Sequence, residues 1–219
     1  MIIVSIKIGT DWDLRNVEFS DGSFLSFRTC YLSPNLADTN LCTYESANTI
    51  EDRELSQDEE DDLRFASACL GAEKAALQLI ARAEQTVFGL GRKLAKRGHG
   101  SACVKTAIAR LCEQELLDDF RYASLWLESR ISRQSSSPMR LLASLRAKGI
   151  DREDAGAAMR EALDEDAEQR LLERFVKKQQ RGAGLRQYTE DSDAERRSLK
   201  YLLKSEGFSS TAIERFFEE

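Results

Sequence analysis

Apolar residues stand two apart at the start of the chain, at Ile2, Val4, Ile6 and Ile8, the period of a strand with one covered face. Two further short runs, Val17-Glu18-Phe19-Ser20 and Ser23-Phe24-Leu25-Ser26, flank Asp21-Gly22. Asp-Gly between such runs predicts a tight type I′ hairpin with Phe19 opposite Phe24, and the β element is expected to stay within residues 1–30. Residues 33–50 are polar and turn-rich and read as loop. The period then changes. Ser56-Gln57-Asp58-Glu59 is a capping box opening a helix with Leu63, Ala66 and Leu70 on one side. The acidic run Asp58–Asp62 lies in its first turn, where negative charge suits the helix dipole.

From residue 72 onward the pattern is helical and repeats, with no strand expected in 72–180. Glycines that end helices, Gly98, Gly149 and Gly207, set three registers. Eight residues before them stand Leu90, Leu141 and Leu199; four before, Leu94, Leu145 and Leu203. Six after stand Val104, Ala155 and Ile213; ten after, Ile108, Met159 and Phe217. This spacing describes two helices joined by a left-handed glycine turn, with Ser101, Asp151 and Ser209 placed to cap the second. Thr86 and Ser137 occupy matching N-cap positions for the first, and Pro138 follows at N1. An upstream helix completes each copy, carrying Ala76, Leu79 and Ile80, then Ala123, Trp126 and Leu127, then Leu172, Phe175 and Val176. Units this small must stack on neighbours to bury enough surface.

The expected fold is therefore mainly α: tandem three-helix, helix-turn-helix-like repeats in an elongated array behind a small β-hairpin extension. The boundaries read as 1–55 for hairpin and loop, 56–71 for an acidic linker helix, then repeats at 72–117, 118–163 and 164–219. A charged, glycine-containing insert near 181–195 interrupts the third.

Composition narrows the chemistry. The single His99, between two glycines, excludes a histidine triad, a His-rich metal site and a zinc finger. There is no GxxxxGK[ST] loop, and Gly89-Leu90-Gly91 is a bare GxG within a helical pattern. Neither an active site nor a cofactor is expected. Cys30, Cys42, Cys69, Cys103 and Cys112 form no CxxC pair and read as reduced, mostly buried thiols. The opening MIIVSIKIGTDWD lacks the basic flank and long apolar core of a secretory signal, and no apolar run reaches membrane-spanning length.

The net charge of −6 conceals an uneven distribution. Residues 1–71 carry 5 basic and 14 acidic side chains, residues 72–160 carry 16 and 10, and residues 161–219 carry 11 and 14. Arg92, Lys93, Lys96 and Arg97 cluster on the helix ending at Gly98, with Lys105 on the next. Arg130, Arg133, Arg140, Arg146 and Lys148 do the same in the second repeat. Some of this charge suits helix C-termini, but the concentration marks both groups as candidate contacts to an anionic partner. Asp118-Asp119 reads as an N-cap with a first-turn charge, and Tyr122 and Trp126 as core residues. His99 reads as an exposed turn residue, and Cys103 and Cys112 as packing residues.

Leu117-Asp118-Asp119-Phe120-Arg121-Tyr122-Ala123, then Glu128-Ser129-Arg130, Arg140-Leu141 and Leu145-Arg146-Ala147-Lys148-Gly149-Ile150, resemble the RecX family of bacterial regulatory proteins. Ala81-Arg82-Ala83-Glu84 and Lys93-Leu94-Ala95-Lys96-Arg97-Gly98 echo its opening segment. The likeness spans roughly residues 72–219 and is strongest over 78–163. The chain departs from the pattern at Gly89, where a Glu is usual, and at Ser135-Ser136-Ser137, where a Gly is often found. The resemblance implies a curved array of three-helix repeats that lies in the groove of the RecA recombinase filament. It implies inhibition of RecA's ATPase, strand-exchange and coprotease functions, and so negative regulation of recombinational repair and the SOS response. A cytoplasmic, monomeric, non-enzymatic protein is expected, with DNA inside the filament as a further candidate contact. The alternative reading is a sequence-tolerant DNA-binding protein built from tandem helix-turn-helix units. Reversing Arg130 and Arg140 together is expected to abolish inhibition and spare the fold.

Overall fold

The computed structural model describes residues 1–37, 53–182 and 193–218. Over them the chain is mainly helical, with a small antiparallel sheet at its start. Its contacts divide it into a first unit, Met1–Gln85 with Gly89–Leu117, and a second, Thr86–Phe88 with Asp118–Glu219. Cys42, most of the 33–50 loop and positions 183–192 of the expected insert lie outside the described residues.

The first unit opens with β1 (Ile2–Ile8), β2 (Leu14–Phe19) and β3 (Phe24–Arg28), then a 3-10 turn (Thr29–Tyr31) and the one-turn α1 (Pro34–Ala37). A two-residue β4 (Arg53–Glu54) completes a sheet of order β3-β2-β1-β4. The expected hairpin is thus a four-stranded sheet reaching past residue 30; a strand of two residues leaves no periodic signal. Alternation in β1 also misleads. The register shifts between Ile3 and Ser5, so Ile3 and Ile6 share the buried side while Ile2, Val4 and Ile8 lie largely exposed.

The Asp21-Gly22 turn differs from its expected form. Glu18, not Phe19, pairs with Phe24. The Phe19 N–H donates to the Ser23 carbonyl at 2.9 Å, closing a three-residue loop in which Gly22 alone takes a positive φ, +80°. A type I′ turn needs two such residues. Asp21 avoids that conformation, and its carboxylate accepts from the Ser23 N–H at 2.9 Å and hydroxyl at 2.6 Å. The extra loop residue sends Phe19 into the core and leaves Phe24 in solvent.

Three helices complete this unit: α2 (Gln57–Ile80), α3 (Val87–Lys96), whose first two residues fall in the second unit, and α4 (Ser101–Glu113). The capping box at α2 is present in both directions, Ser56 to Glu59 and Glu59 to Ser56. The expected boundary between 71 and 72 falls inside α2, because Gly71 stands mid-helix without breaking it. The sheet packs on α2 and α4 through Phe27, Tyr31, Leu63, Ala66, Cys69, Cys103 and Ala107. Beside this apolar contact runs a buried ionic network. Arg28 Nε donates to both Glu73 oxygens at 2.9 and 3.0 Å, and its Nη1 to Asp13 at 2.5 Å. Arg110 Nη2 donates to Asp13 at 2.9 Å, and the Tyr31 hydroxyl to Glu73 at 2.6 Å. Burial works against the Arg28 charge, yet Glu73 and Asp13 hold its pKa above the ordinary value; burial, then Glu73, push Tyr31 upward.

Burial pushes the Cys69 thiol up to about 12, with Cys103 as its neighbour. Both are buried, as expected; Cys112 is exposed, contrary to the packing role read for it, and Cys30 is exposed as well.

The second unit holds α5 (Asp119–Arg133), α6 (Pro138–Ala147), α7 (Arg152–Ala162), α8 (Glu165–Gly182), α9 (Asp193–Ser205) and α10 (Ser210–Glu218). Leu127, Leu141, Leu145, Leu171, Leu172, Phe175, Leu199 and Leu203 form one apolar core with Ala155 and Ile213.

The glycine turns take the form that their spacing predicts. Gly98, Gly149 and Gly207 have φ of +88°, +86° and +88°. The residue after each donates its N–H back to the leucine four before the glycine: His99 to Leu94, Ile150 to Leu145 and Phe208 to Leu203, at 3.2–3.3 Å. This is a Schellman closure. Ile150 and Phe208 are buried at that step; the half-buried His99 stands in the first turn, less exposed than expected. Asp151 and Ser209 cap α7 and α10 by accepting from Asp154 and Ala212 N–H groups. Ser101 does not play this part: Gly100 is the N-cap and Ser101 the first residue of α4.

Two of the turns also receive a neighbouring helix start within the second unit. The Thr86 hydroxyl donates to the Lys148 carbonyl at 3.1 Å, and Phe88 lies where a Cβ on Gly149 would be. At the equivalent place one repeat later, Met139 N–H donates to the Glu206 carbonyl at 3.1 Å, Ser137 bonds the Glu206 carboxylate, and Met139 faces Gly207.

Candidate partner-binding surface

The ten cations singled out by sequence separate into two sets, one in each unit. In the first, α3 presents Arg92, Lys93 and Lys96 and the turn that follows it Arg97, all exposed, and α4 presents Lys105. Lys93 Nζ donates to Gln85 Oε1 at 2.6 Å, and Arg97 Nη1 reaches the Ala75 carbonyl at 3.5 Å. Arg97 also follows the last turn of α3, where a cation offsets the helix dipole.

In the second unit α5 places Tyr122, Trp126 and Arg130 on one line at four-residue spacing. The Arg130 guanidinium lies over the Trp126 ring at 5.2 Å. Lys148, the C-cap of α6, brings its Nζ to 5.6 Å from the same ring and 5.7 Å from that of Tyr122. Both rings pack one side on the core and remain half-exposed. The core role read from the helical stripe is therefore half of the account, because each ring also carries a cation on its outer side. Among the described residues no carboxylate forms an ion pair with Arg130 or Lys148.

Arg140 is differently placed. Its Nη2 lies 3.5 Å from Glu206, whose carboxylate also bonds Ser137, the N-cap of α6. Reversing Arg140 would set two carboxylates together near a helix start, which makes Arg133 the cleaner partner for Arg130 in a charge-reversal test. Arg133 and Arg146 are exposed near the ends of α5 and α6.

Asp118 and Asp119 are structural. The Asp118 carboxylate accepts from the Arg121 N–H at 2.9 Å, and Asp119 accepts from the Val87 N–H at 2.8 Å. Burial, with Asp154, Asp118 and Asp151 nearby, raises the Asp119 pKa from its ordinary value. Asp119 thus holds the start of α3, a role no local pattern announces. Among the described residues no group of His, Cys, Asp and Glu has the geometry to hold a metal ion, and no helix is long and apolar enough to cross a membrane.

Residues 118–159, which include the aromatic line and Lys148, match the family model for the second three-helix domain of RecX. The chain is 36% identical over 121 residues to the regulatory protein RecX of Treponema pallidum (strain Nichols), covering 55% of this chain and 74% of that one. It is 39% identical over 113 residues to the regulatory protein RecX of Halorhodospira halophila, covering 51% and 66%. A crystal structure of a regulatory protein RecX superposes with a TM-score of 0.69 over the whole of both chains, at 18% identity, and so agrees in fold.

Proposed function

The chain belongs to the RecX family of regulatory proteins, and from that premise we propose that it binds the RecA recombinase filament. In this reading it lowers RecA's ATPase, strand-exchange and coprotease activities in the cytoplasm, as a modulator of DNA repair and the SOS response with no catalysis of its own. The observation that carries the reading is the cation–aromatic face of α5, where Arg130 and Lys148 are held over Trp126 without an ion-pair partner among the described residues. Cations fixed on aromatic rings have surrendered side-chain freedom already, so an acidic partner gains more of the interaction. Arg133 and Arg146, with Arg92, Lys93, Lys96, Arg97 and Lys105 of the first unit, would add electrostatic steering; Arg140 is assigned to Glu206 instead.

Helix-turn-helix reading of a DNA groove fits less well. The start of a recognition helix meets the bases, and α7 opens with Arg152-Glu153-Asp154, two of the three acidic.

A steady-state assay of RecA ATPase on single-stranded DNA tests the proposal. Titrated protein should lower RecA turnover, and Arg130→Glu with Arg133→Glu should abolish the effect with an unchanged circular dichroism melt. Undiminished RecA turnover at saturating protein would refute it.

A further inference from the structure

We propose that the uncovered glycine turn Arg97-Gly98-His99 is a docking seat for the first turn of a helix from another protein, one that opens Ser/Thr-x-Phe/Met-Glu. The inference does not rest on the filament reading.

The chain itself shows what such a turn receives. At Gly149 and Gly207 the glycine lacks a side chain and presents the carbonyl before it, and in both cases a helix start arrives with two groups. The first is a hydroxyl just ahead of the helix; the second is an apolar side chain two residues on. Thr86 donates to the Lys148 carbonyl at 3.1 Å, and Phe88 occupies the place of a Gly149 Cβ. Ser137 bonds the Glu206 carboxylate, and the Met139 N–H donates to the Glu206 carbonyl at 3.1 Å. Atoms of Met139 and Pro138 lie 3.4–3.7 Å from a Cβ placed on Gly207. One geometry filled by different side chains identifies the backbone of the turn as the recognised feature.

Gly98 has the same φ, +88°, and the same closure through the His99 N–H. Among the described residues, however, nothing lies within 4 Å of a Cβ placed on it, and no donor reaches the Arg97 carbonyl. Arg97, Gly98 and Gly100 are exposed. A second copy of the chain has no matching helix start to offer. Thr86 and Ser137 are engaged at their own turns, and the corresponding places in the third repeat carry Glu195 and Arg197. Neither brings a hydroxyl or an apolar group, and α9 begins earlier, at Asp193.

Charge selects the fourth residue of the incoming segment. Before Gly207 stands Glu206, and it faces Arg140, three residues after Ser137, at 3.5 Å. Before Gly98 stands Arg97, with Lys96 beside it, so the complementary residue is acidic. Glu three residues after Ser or Thr is also the capping-box pattern, and an acidic first turn suits the helix dipole. The contact is small, so an isolated helix should bind at about millimolar affinity and gain from further contacts on the same partner.

The test is a two-dimensional amide NMR spectrum of the labelled full chain, titrated with a stapled helical peptide of residues 136–148 carrying Arg140→Glu. The Gly98 and His99 amides should shift and saturate, while Gly149 and Gly207 stay in place. A peptide that retains Arg140 should bind about threefold or more weakly, the scale of one exposed ion pair, and Arg97→Glu in the chain should reverse that order. A peptide with Met139→Asp should not bind. Gly98→Asn should abolish the shifts, since Asn tolerates a left-handed φ and sets a side chain over the seat. Gly22→Asn, the same change at another left-handed turn of the first unit, should bind as wild type does. No shift at Gly98 and His99, equal shifts in Gly98→Asn, or a preference unmoved by Arg97→Glu would each overturn the proposal. So would Gly98 shifts that grow with chain concentration in the absence of peptide, which would assign the seat to a second copy.

Discussion

The two units solve the same packing problem by different chemistry. In the second, helices are joined through apolar registers and glycine turns, and the buried groups that matter are leucines and a missing Cβ. In the first, the sheet is fastened to α2 and α4 partly through charge: Asp13 and Glu73, each 2% exposed, are shared by Arg28 and Arg110. A repeat can reuse one apolar interface at each step. A sheet docked on helices has no such periodicity, and a directional ionic network fixes how the strands meet them. Such a network is not itself a large source of stability, because desolvation offsets most of its attraction; what is costly is breaking it.

The sharpest way to break this comparison is Glu73→Ala. It would leave the Arg28 Nε and the Tyr31 hydroxyl without their acceptor in a buried site and set two guanidinium groups against Asp13, with Asp11 on the outer side of Arg28, and a loss of about 3–5 kcal/mol is expected. Hydrogen exchange resolved by segment should show protection lost in β1–β3, α2 and α4. A loss below about 1 kcal/mol would mean that the network is incidental and that both units rest on apolar packing alone.

The next effect belongs to the second unit. Gly149→Ala meets two penalties: a left-handed φ costs an L residue about 1–2 kcal/mol, and its Cβ would overlap Phe88, adding about 1–3 kcal/mol of overpacking. Gly98→Ala meets only the first, since nothing lies within 4 Å of its Cβ position. Denaturant melts of the pair should therefore rank Gly149→Ala clearly above Gly98→Ala. Equal losses would show that Phe88 does not depend on the glycine turn for its seat.

The smallest effect sharpens the electrostatic side. Asp119 has a raised pKa in the folded chain, so the folded state binds its proton more tightly than the unfolded state. Its contribution is then unfavourable at neutral pH and is relieved as pH falls through the raised value. Glu59, whose pKa is lowered first by the Ser56 backbone N–H, has the opposite sign: its contribution is present above the unfolded value and is lost as pH falls through the lowered one. Asp119→Asn keeps an acceptor for the Val87 N–H and removes the charge. Its melting temperature should equal or slightly exceed wild type at neutral pH, and the advantage should vanish in acid. A lower melting temperature at neutral pH would show that the charge itself holds α3.

What was legible in the sequence was whatever local geometry enforces. Gly98, Gly149 and Gly207 could be read because a Schellman closure involves residues no more than five apart, and Asp118, Ser137 and Asp151 because a capping bond reaches only three residues on. One-residue errors appeared where two local solutions compete. The Asp21-Gly22 loop closes with three residues rather than two, and the shift within β1 moves Ile3 inward in place of Val4. The candidate surface was legible as a set of cations but not as an arrangement. That Lys148 would join Arg130 over Trp126, while Arg140 turned to Glu206, depends on how α6 lies against α5 and α9.

By itself, then, the sequence determined helix positions, their ends and the apolar faces of the repeats, because backbone hydrogen bonding and side-chain periodicity act over one or two turns. Tertiary structure alone decided which charges are buried and shared. Glu73 meets Arg28 across 45 residues and Asp13 meets Arg110 across 97. Seat and strength of such pairs are set by the low dielectric and fixed distances of a packed interior, which exist only after the chain has folded.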